Sequence, residues 1–139
     1  MGMHNFRELK IWQRSMDLAE KVYKIVADFP KEEKYGLTAQ IKSCTVSIPS
    51  NISEGAGRAT QKQFRYFLEI SMGSSNELQT QLELSKRFNY LTQELADEII
   101  DEVFRLPKIK VNVLCGSVIN VVLMIESIGV IPLPAAKAK

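Results

Sequence analysis

Histidine is nearly missing from this chain of 139 residues: His4 is the single imidazole. Its scarcity excludes the Ser-His-Asp and Cys-His arrangements of nucleophilic catalysis and the Glu-x-x-His pairs that build di-iron sites in helical bundles. Cysteine is scarce too. Cys44 and Cys115 lie in apolar helical contexts and read as reduced, buried thiols of a cytoplasmic protein, not as a disulfide framework. Charge is close to balanced, with 18 Lys and Arg against 16 Asp and Glu, so bulk charge implies no polyanionic partner and only a clustered patch would. Long apolar runs are absent. Val111 to Ile125 is broken by Asn112, Gly116, Ser117 and Asn120 and closed by Glu126, short of the ~20 residues a membrane helix needs; it reads as a buried helix, and no membrane partner is expected. Met1-Gly2-Met3-His4 lacks the apolar run of a signal peptide and reads as a cloning remnant ahead of Met3; Phe6 stands where N-myristoylation wants Ser or Thr. No phosphate-binding glycine motif follows a strand: Gly55-Ala56-Gly57 follows a helix and fits a helix stop. No cofactor and no metal are expected.

What is present is a globular composition, 45% hydrophobic and 24% charged, enough for one cored domain over residues 1–131. Gly129, Pro132 and Pro134 then end the order, leaving a loose tail at 132–139. The periodicity predicts four helices and an all-α, antiparallel up-down four-helix bundle. The first runs from about Phe6 to Asp28, with Leu9, Trp12, Met16, Ala19, Tyr23 and Val26 as its core stripe, and ends before Pro30. The third opens at Thr60 with a capping box to Gln63 and runs to about Phe88 on the stripe Phe64, Leu68, Ser71, Ser75, Leu78, Leu82. The fourth opens at Thr92, with Glu94 placed to complement the helix dipole. It continues through Leu95, Ile99, Val103 and Leu106 to an interruption at Pro107. Beyond it, Val111, Leu114, Val118, Val121, Ile125 and Ile128 keep a heptad that favours helix, although their Val and Ile content would also suit a strand.

The second helix, within Tyr35 to Arg58, is the unusual one. Leu37, Ile41, Ile48 and Ile52 make its apolar face. The other positions are Thr38, Ser43, Thr45, Ser47, Ser50, Asn51 and Ser53, where a surface helix would carry Lys and Glu. Small side chains let another backbone come close, and the small waist of the third helix (Ser71, Gly73, Ser74, Ser75) is its natural neighbour. Pro49 should bend this helix and leave a carbonyl for nearby Ser or Asn side chains. Glu54 in the last turn opposes the helix dipole. An ion pair to Arg58 that locks the turn, together with Gly55 and Gly57, is favoured over an acid–base role.

Two surfaces remain. Ile11, Leu18 and Ile25 lie on a flank of the first helix outside its stripe, and Val113, Ile119 and Val122 flank the last heptad. Together they read as an oligomer interface, or else as scattered apolar exposure. Arg7, Lys10, Arg14, Lys21 and Lys24 share one arc of the first helix, and Lys42, Arg58, Lys62 and Arg65 lie on or between the next two. These cations are candidate phosphate contacts, with Phe6 and Tyr66 near enough to stack on bases; the plain alternative is a solvated face. The acidic row Glu94, Asp97, Glu98, Asp101 and Glu102 reads as a solvated face.

Five segments carry a resemblance. They are Phe6-x-x-Leu9-x-x-Trp12; Phe29-Pro30-x-x-Glu33-x-Tyr35-Gly36-Leu37-x-x-Gln40-Ile41; Ser47-Ile48-Pro49-Ser50-Asn51-Ile52-x-Glu54-Gly55-x-Gly57-Arg58; Phe64-x-x-Phe67-Leu68; and Gly73-Ser74-x-x-Glu77-Leu78-x-x-Gln81-Leu82. Together they resemble the four-helix bundle family of 23S ribosomal-RNA intervening-sequence proteins, over about Phe6 to Ile128. That family is in turn similar to the accessory variability protein of diversity-generating retroelements. The resemblance implies a small bacterial protein, a homopentameric ring, no enzymatic activity, and as partners structured RNA or DNA and a reverse transcriptase-like protein. The chain departs from its relatives at Lys42-Ser43, where two basic residues are common, and at Pro107. The expected function is nucleic-acid binding through the ring's basic surface; the alternative is a protein-interaction scaffold that touches no nucleic acid.

Overall fold

The structure, a computed structural model, describes residues 5–106. Four α-helices follow one another: α1 Lys10–Val26, α2 Leu37–Ala56, α3 Gln61–Arg87 and α4 Gln93–Arg105. Short 3-10 turns, Phe6–Glu8 and Lys31–Tyr35, precede α1 and α2. Among the described residues there is no strand, and no helix is long and apolar enough to cross a membrane. The expected continuation past Pro107, the interface positions Val113, Ile119 and Val122, Cys115, and the tail at 132–139 lie outside the described residues.

Local chemistry sets the helix boundaries. Leu9 is extended, so α1 begins at Lys10 and not at Phe6 as the periodicity predicts; Phe6–Glu8 is a separate turn opened by the Asn5 side chain, which accepts from the Arg7 N–H. The Thr60 hydroxyl accepts from the Gln63 N–H at 3.2 Å and opens α3. Thr92 does the same for Leu95 at 3.3 Å and opens α4, with Glu94 in its first turn. These are the expected caps. α3 closes on a Schellman motif: the Tyr90 N–H reaches the Ser85 carbonyl and the Asn89 N–H the Lys86 carbonyl, with Asn89 at φ 60°. α2 opens differently. Gly36 offers no side-chain cap, and Glu33 reaches forward instead, its Oε2 accepting from the Leu37 N–H at 2.8 Å. A Cβ on Gly36 would sit 2.6 Å from that oxygen, so glycine leaves room for the substitute cap. Tyr90 Oη donates to the other Glu33 oxygen at 3.0 Å and ties this end of the molecule together.

The core joins all four helices: Leu18, Val22 and Val26 from α1, Ile41, Cys44, Ile48 and Ile52 from α2, Leu78 and Leu82 from α3, Ala96, Ile99 and Val103 from α4. The α1 stripe is rotated from the predicted one. Ser15, Leu18, Val22 and Val26 are buried, while Met16 and Tyr23 are more than 40% exposed. Leu18, expected at an oligomer interface, is fully buried in the core, and its neighbours Ile11 and Ile25 pack partly buried against the same cluster. A leucine with no accessible surface cannot meet a second chain. The rotation carries Ser15 inward, where its hydroxyl donates to its own Trp12 carbonyl at 2.7 Å and needs no outside partner.

The α2–α3 contact is the most extensive. Ser71 Oγ donates to the Ile48 carbonyl at 3.1 Å, Ser47 and Ser74 hydroxyls meet at 3.0 Å, and Cys44 Sγ donates to Gln81 Oε1 at 2.9 Å. Residue numbers fall along one helix as they rise along the other. At the end of this seam Gly55 lies against Phe64 and Phe67: a Cβ there would be 2.7 Å from Phe67 Cβ. Gly55 therefore does not stop α2, which runs on to Ala56; it admits the α3 aromatics. Gly57 is the C-cap, in ordinary right-handed backbone. Pro49 is buried in the middle of α2, remote from the turn. Ser50 and Asn51 side chains donate to the carbonyls of Val46 and Ser47, both at 2.8 Å; Thr45, whose carbonyl the proline cannot serve, keeps a buried hydroxyl without a hydrogen-bond partner.

Candidate nucleic-acid interface

The turn between α2 and α3 gathers three of the predicted cations. Arg58 follows the C-cap of α2, and Lys62 and Arg65 lie one turn apart at the start of α3. Each arginine is held. Arg58 Nη2 pairs with Glu54 Oε1, the expected lock on the turn, and its guanidinium sits 4.7 Å from the Phe67 ring centroid. Arg65 Nε pairs with Glu69 Oε1 at 3.1 Å. Lys62 is exposed. Both ion pairs have side chains 40–50% exposed. Exposed pairs of this kind are worth ~0–1 kcal/mol, so a phosphate can replace the carboxylate at little cost. Tyr66, one turn after Lys62 and next to Arg65 in the chain, is 60% exposed, its ring edge-on to Phe67 with centroids 5.5 Å apart.

Arg7 stands in the Phe6–Glu8 turn, which packs against α2, and Lys10 opens α1. Lys42 Nζ of α2 lies 5.1 Å from the Tyr23 ring centroid of α1. Arg7 repeats the arginine-on-ring arrangement, 4.7 Å from the Phe6 centroid, and Phe6 meets Trp12 edge-on at 5.2 Å.

The remaining predicted cations are elsewhere. Lys42 is half-buried on α2, about 21 Å along the helix from its last residue, Ala56. Arg14 lines a groove of about 330 Å³ between α1 and α4 with Asp17, Glu98, Asp101, Glu102 and Arg105. Lys21 bridges to Glu98 at 2.6 Å and Glu102 at 3.0 Å, and these two hydrogen bonds raise its pKa. Lys24 pairs with Glu20 on its own helix. The basic arc of α1 thus divides: Arg14 and Lys21 face the acids of α4, and Arg7 and Lys10 stand apart from them at its start. The acidic row on α4 is correspondingly not a plain solvated face. Asp97 pairs with Lys86 of α3 at 3.0 Å, and Asp101 with Arg105 at 2.8 Å. Lys86 also meets Glu83, and both acids raise its pKa.

Sequence reasoning missed the acidic partners of Lys21, 77 and 81 positions away, for which no local signal exists. It also missed Glu69, whose i,i+4 spacing to Arg65 was a readable signal. Cys44 is a buried free thiol whose pKa burial pushes up to about 12; it is a packing residue and no nucleophile.

Comparison with known proteins adds the following. A family model described as 23S rRNA-intervening sequence protein matches residues 7–111. A crystal structure of a protein of unknown function from the S23 ribosomal protein family of Bacteroides thetaiotaomicron superposes with a TM-score of 0.65 at 23% identity, covering 81% of this chain and 97% of that one. At that identity the likeness is one of fold. No curated protein matches.

Proposed function

The chain belongs to the 23S rRNA-intervening sequence protein family, and from that premise we propose that it is a non-enzymatic RNA-binding accessory protein. Its up-down bundles assemble as a homopentameric ring, and each copy presents Arg58, Lys62 and Arg65 first, and Arg7 and Lys10 second, to phosphates. The observation that supports this reading is the clustering of Arg58, Lys62 and Arg65 at the α2–α3 turn. Ring assembly would repeat that end and strengthen its field. Arg14 and Lys42 drop out of the set, the first among acids of α1 and α4, the second far along α2. Contacts made to phosphate position a nucleic acid without reading its sequence.

Titration of a labelled structured RNA with the purified protein tests this. About four phosphate contacts predict binding roughly 50- to 150-fold weaker on going from about 50 to about 200 mM salt. Reversal of Arg58 and Arg65 to Glu should abolish binding while circular dichroism stays unchanged. Absence of binding at low salt overturns the proposal. A second reading, a scaffold for a reverse transcriptase-like protein with no nucleic-acid contact, is favoured by the exposure of Ile70, Leu84 and Phe88 along α3; a partner captured equally well by the double charge reversal would support it.

A further inference from the structure

The same bundle end holds an aromatic side chain that phosphate binding does not use. Tyr66 is 60% exposed although its ring is large and apolar, and it is not loosely placed. Phe67 meets it at 77° between ring planes, and Phe67 is itself fixed, by Gly55 on one side and by the Arg58 guanidinium on the other. Lys62 lies one helical turn before Tyr66 and Arg65 immediately before it in the chain. An exposed ring, braced from behind and flanked by cations, is the arrangement that binds single-stranded nucleic acid: bases stack on the ring and the charges follow the backbone. A duplex hides its base faces within its own stack and offers such a ring nothing.

We infer that the α2–α3 end of the bundle is a site for unpaired nucleotides, with Tyr66 as the stacking platform and Arg58, Lys62 and Arg65 as phosphate contacts around it. This rests on the RNA-binding reading above and narrows it: the ligand is a loop, bulge or single-stranded end, taken with little base preference because every base has a π-face. The bracing explains why glycine is needed at 55. A side chain there would push Phe67, and with it the support of Tyr66 and the seat of Arg58.

The test uses the full chain and two probes, a single-stranded RNA carrying 2-aminopurine and a blunt RNA duplex of equal length, both at low salt. The expected result is tighter binding of the single strand, with 2-aminopurine fluorescence quenched on binding. Tyr66→Ala should weaken single-strand binding about 5- to 150-fold, the range for loss of one stacked base, and abolish the quench, leaving duplex binding unchanged. Tyr66→Trp should retain both affinity and quench. Because Tyr66 is exposed, these variants should keep the wild-type circular dichroism. Equal binding of both probes with a neutral Tyr66→Ala, alongside loss on reversing Arg58 and Arg65, overturns the stacking site and leaves phosphate binding standing. Failure of every form to bind either probe overturns both.

Discussion

Two of this bundle's helix seams, the most extensive and one of the slightest, are built on opposite plans. Between α2 and α3 the side chains are short: Ser47, Ser71, Ser74 and Gly55 let the helices close until a hydroxyl of one reaches a main-chain carbonyl of the other. Between α1 and α4 they are long: Lys21 spans to Glu98 and Glu102 over the rim of a groove. A short-chain seam has a single register, because each small residue accommodates a particular neighbour, and close packing punishes any added volume. A long-chain seam is adaptable, because flexible charged chains re-pair without moving the backbone. The rigid seam leads to the α2–α3 turn, so the proposed binding end is built at its best-fixed point.

The contrast can be broken most directly at glycine. Gly55→Ala introduces a Cβ 2.7 Å from Phe67 Cβ and 3.3 Å from the Phe64 carbonyl oxygen. Its expected cost is about 1–3 kcal/mol of unfolding free energy in urea denaturation, the range for overpacking. Unchanged stability would mean that the seam yields and is not rigid. Gly73, on α3, has nothing within 4 Å of a built Cβ. Gly73→Ala should therefore stabilise by about 0.5–1 kcal/mol, as the removal of a helical glycine does in open space. The two substitutions are chemically identical and should differ in sign. A loss at Gly73 would show that a second copy of the chain or another surface covers it.

Much of the rigid seam was legible beforehand, because its signal is local. A helix whose flanks are Ser and Thr instead of Lys and Glu announces a close neighbour, and the small waist of α3 identified it. The caps at Thr60 and Thr92 and the Glu54–Arg58 lock follow from spacings of three and four. The α1 stripe was misread for a physical reason. α1 carries apolar residues over a wide arc, and the phase that buries Leu18 also buries Ser15, which looks unfavourable until its hydroxyl is seen to satisfy itself on the Trp12 carbonyl. The error moved Leu18 from core to interface. The tie from Tyr90 to Glu33 and the pairing of Lys21 with α4 depend on contacts distant in sequence, and only the folded chain shows them; the Glu33 cap on the Leu37 N–H is local and was overlooked.

The adaptable seam predicts a small effect with a definite signature. Lys21 has a raised pKa, first from its hydrogen bond to Glu98 and then from that to Glu102. Its folded-state value lies above the unfolded one, about 10.4. The contribution of the pairing is therefore complete below pH ~10.4 and is lost as pH rises through the folded value. Lys21→Met keeps an apolar stem on the rim of α4 and removes the charge. At neutral pH and low salt it should lower unfolding free energy by less than about 1 kcal/mol, because the lysine is 37% exposed and solvent screens the pair. In about 1 M salt, where screening acts within ~3 Å, the difference from the unaltered chain should shrink. Above the folded pKa it should vanish, since neutral lysine offers the glutamates no charge. A loss of about 3 kcal/mol that salt leaves untouched would show instead that Lys21 is packed as tightly as Gly55, and that the two seams follow one plan.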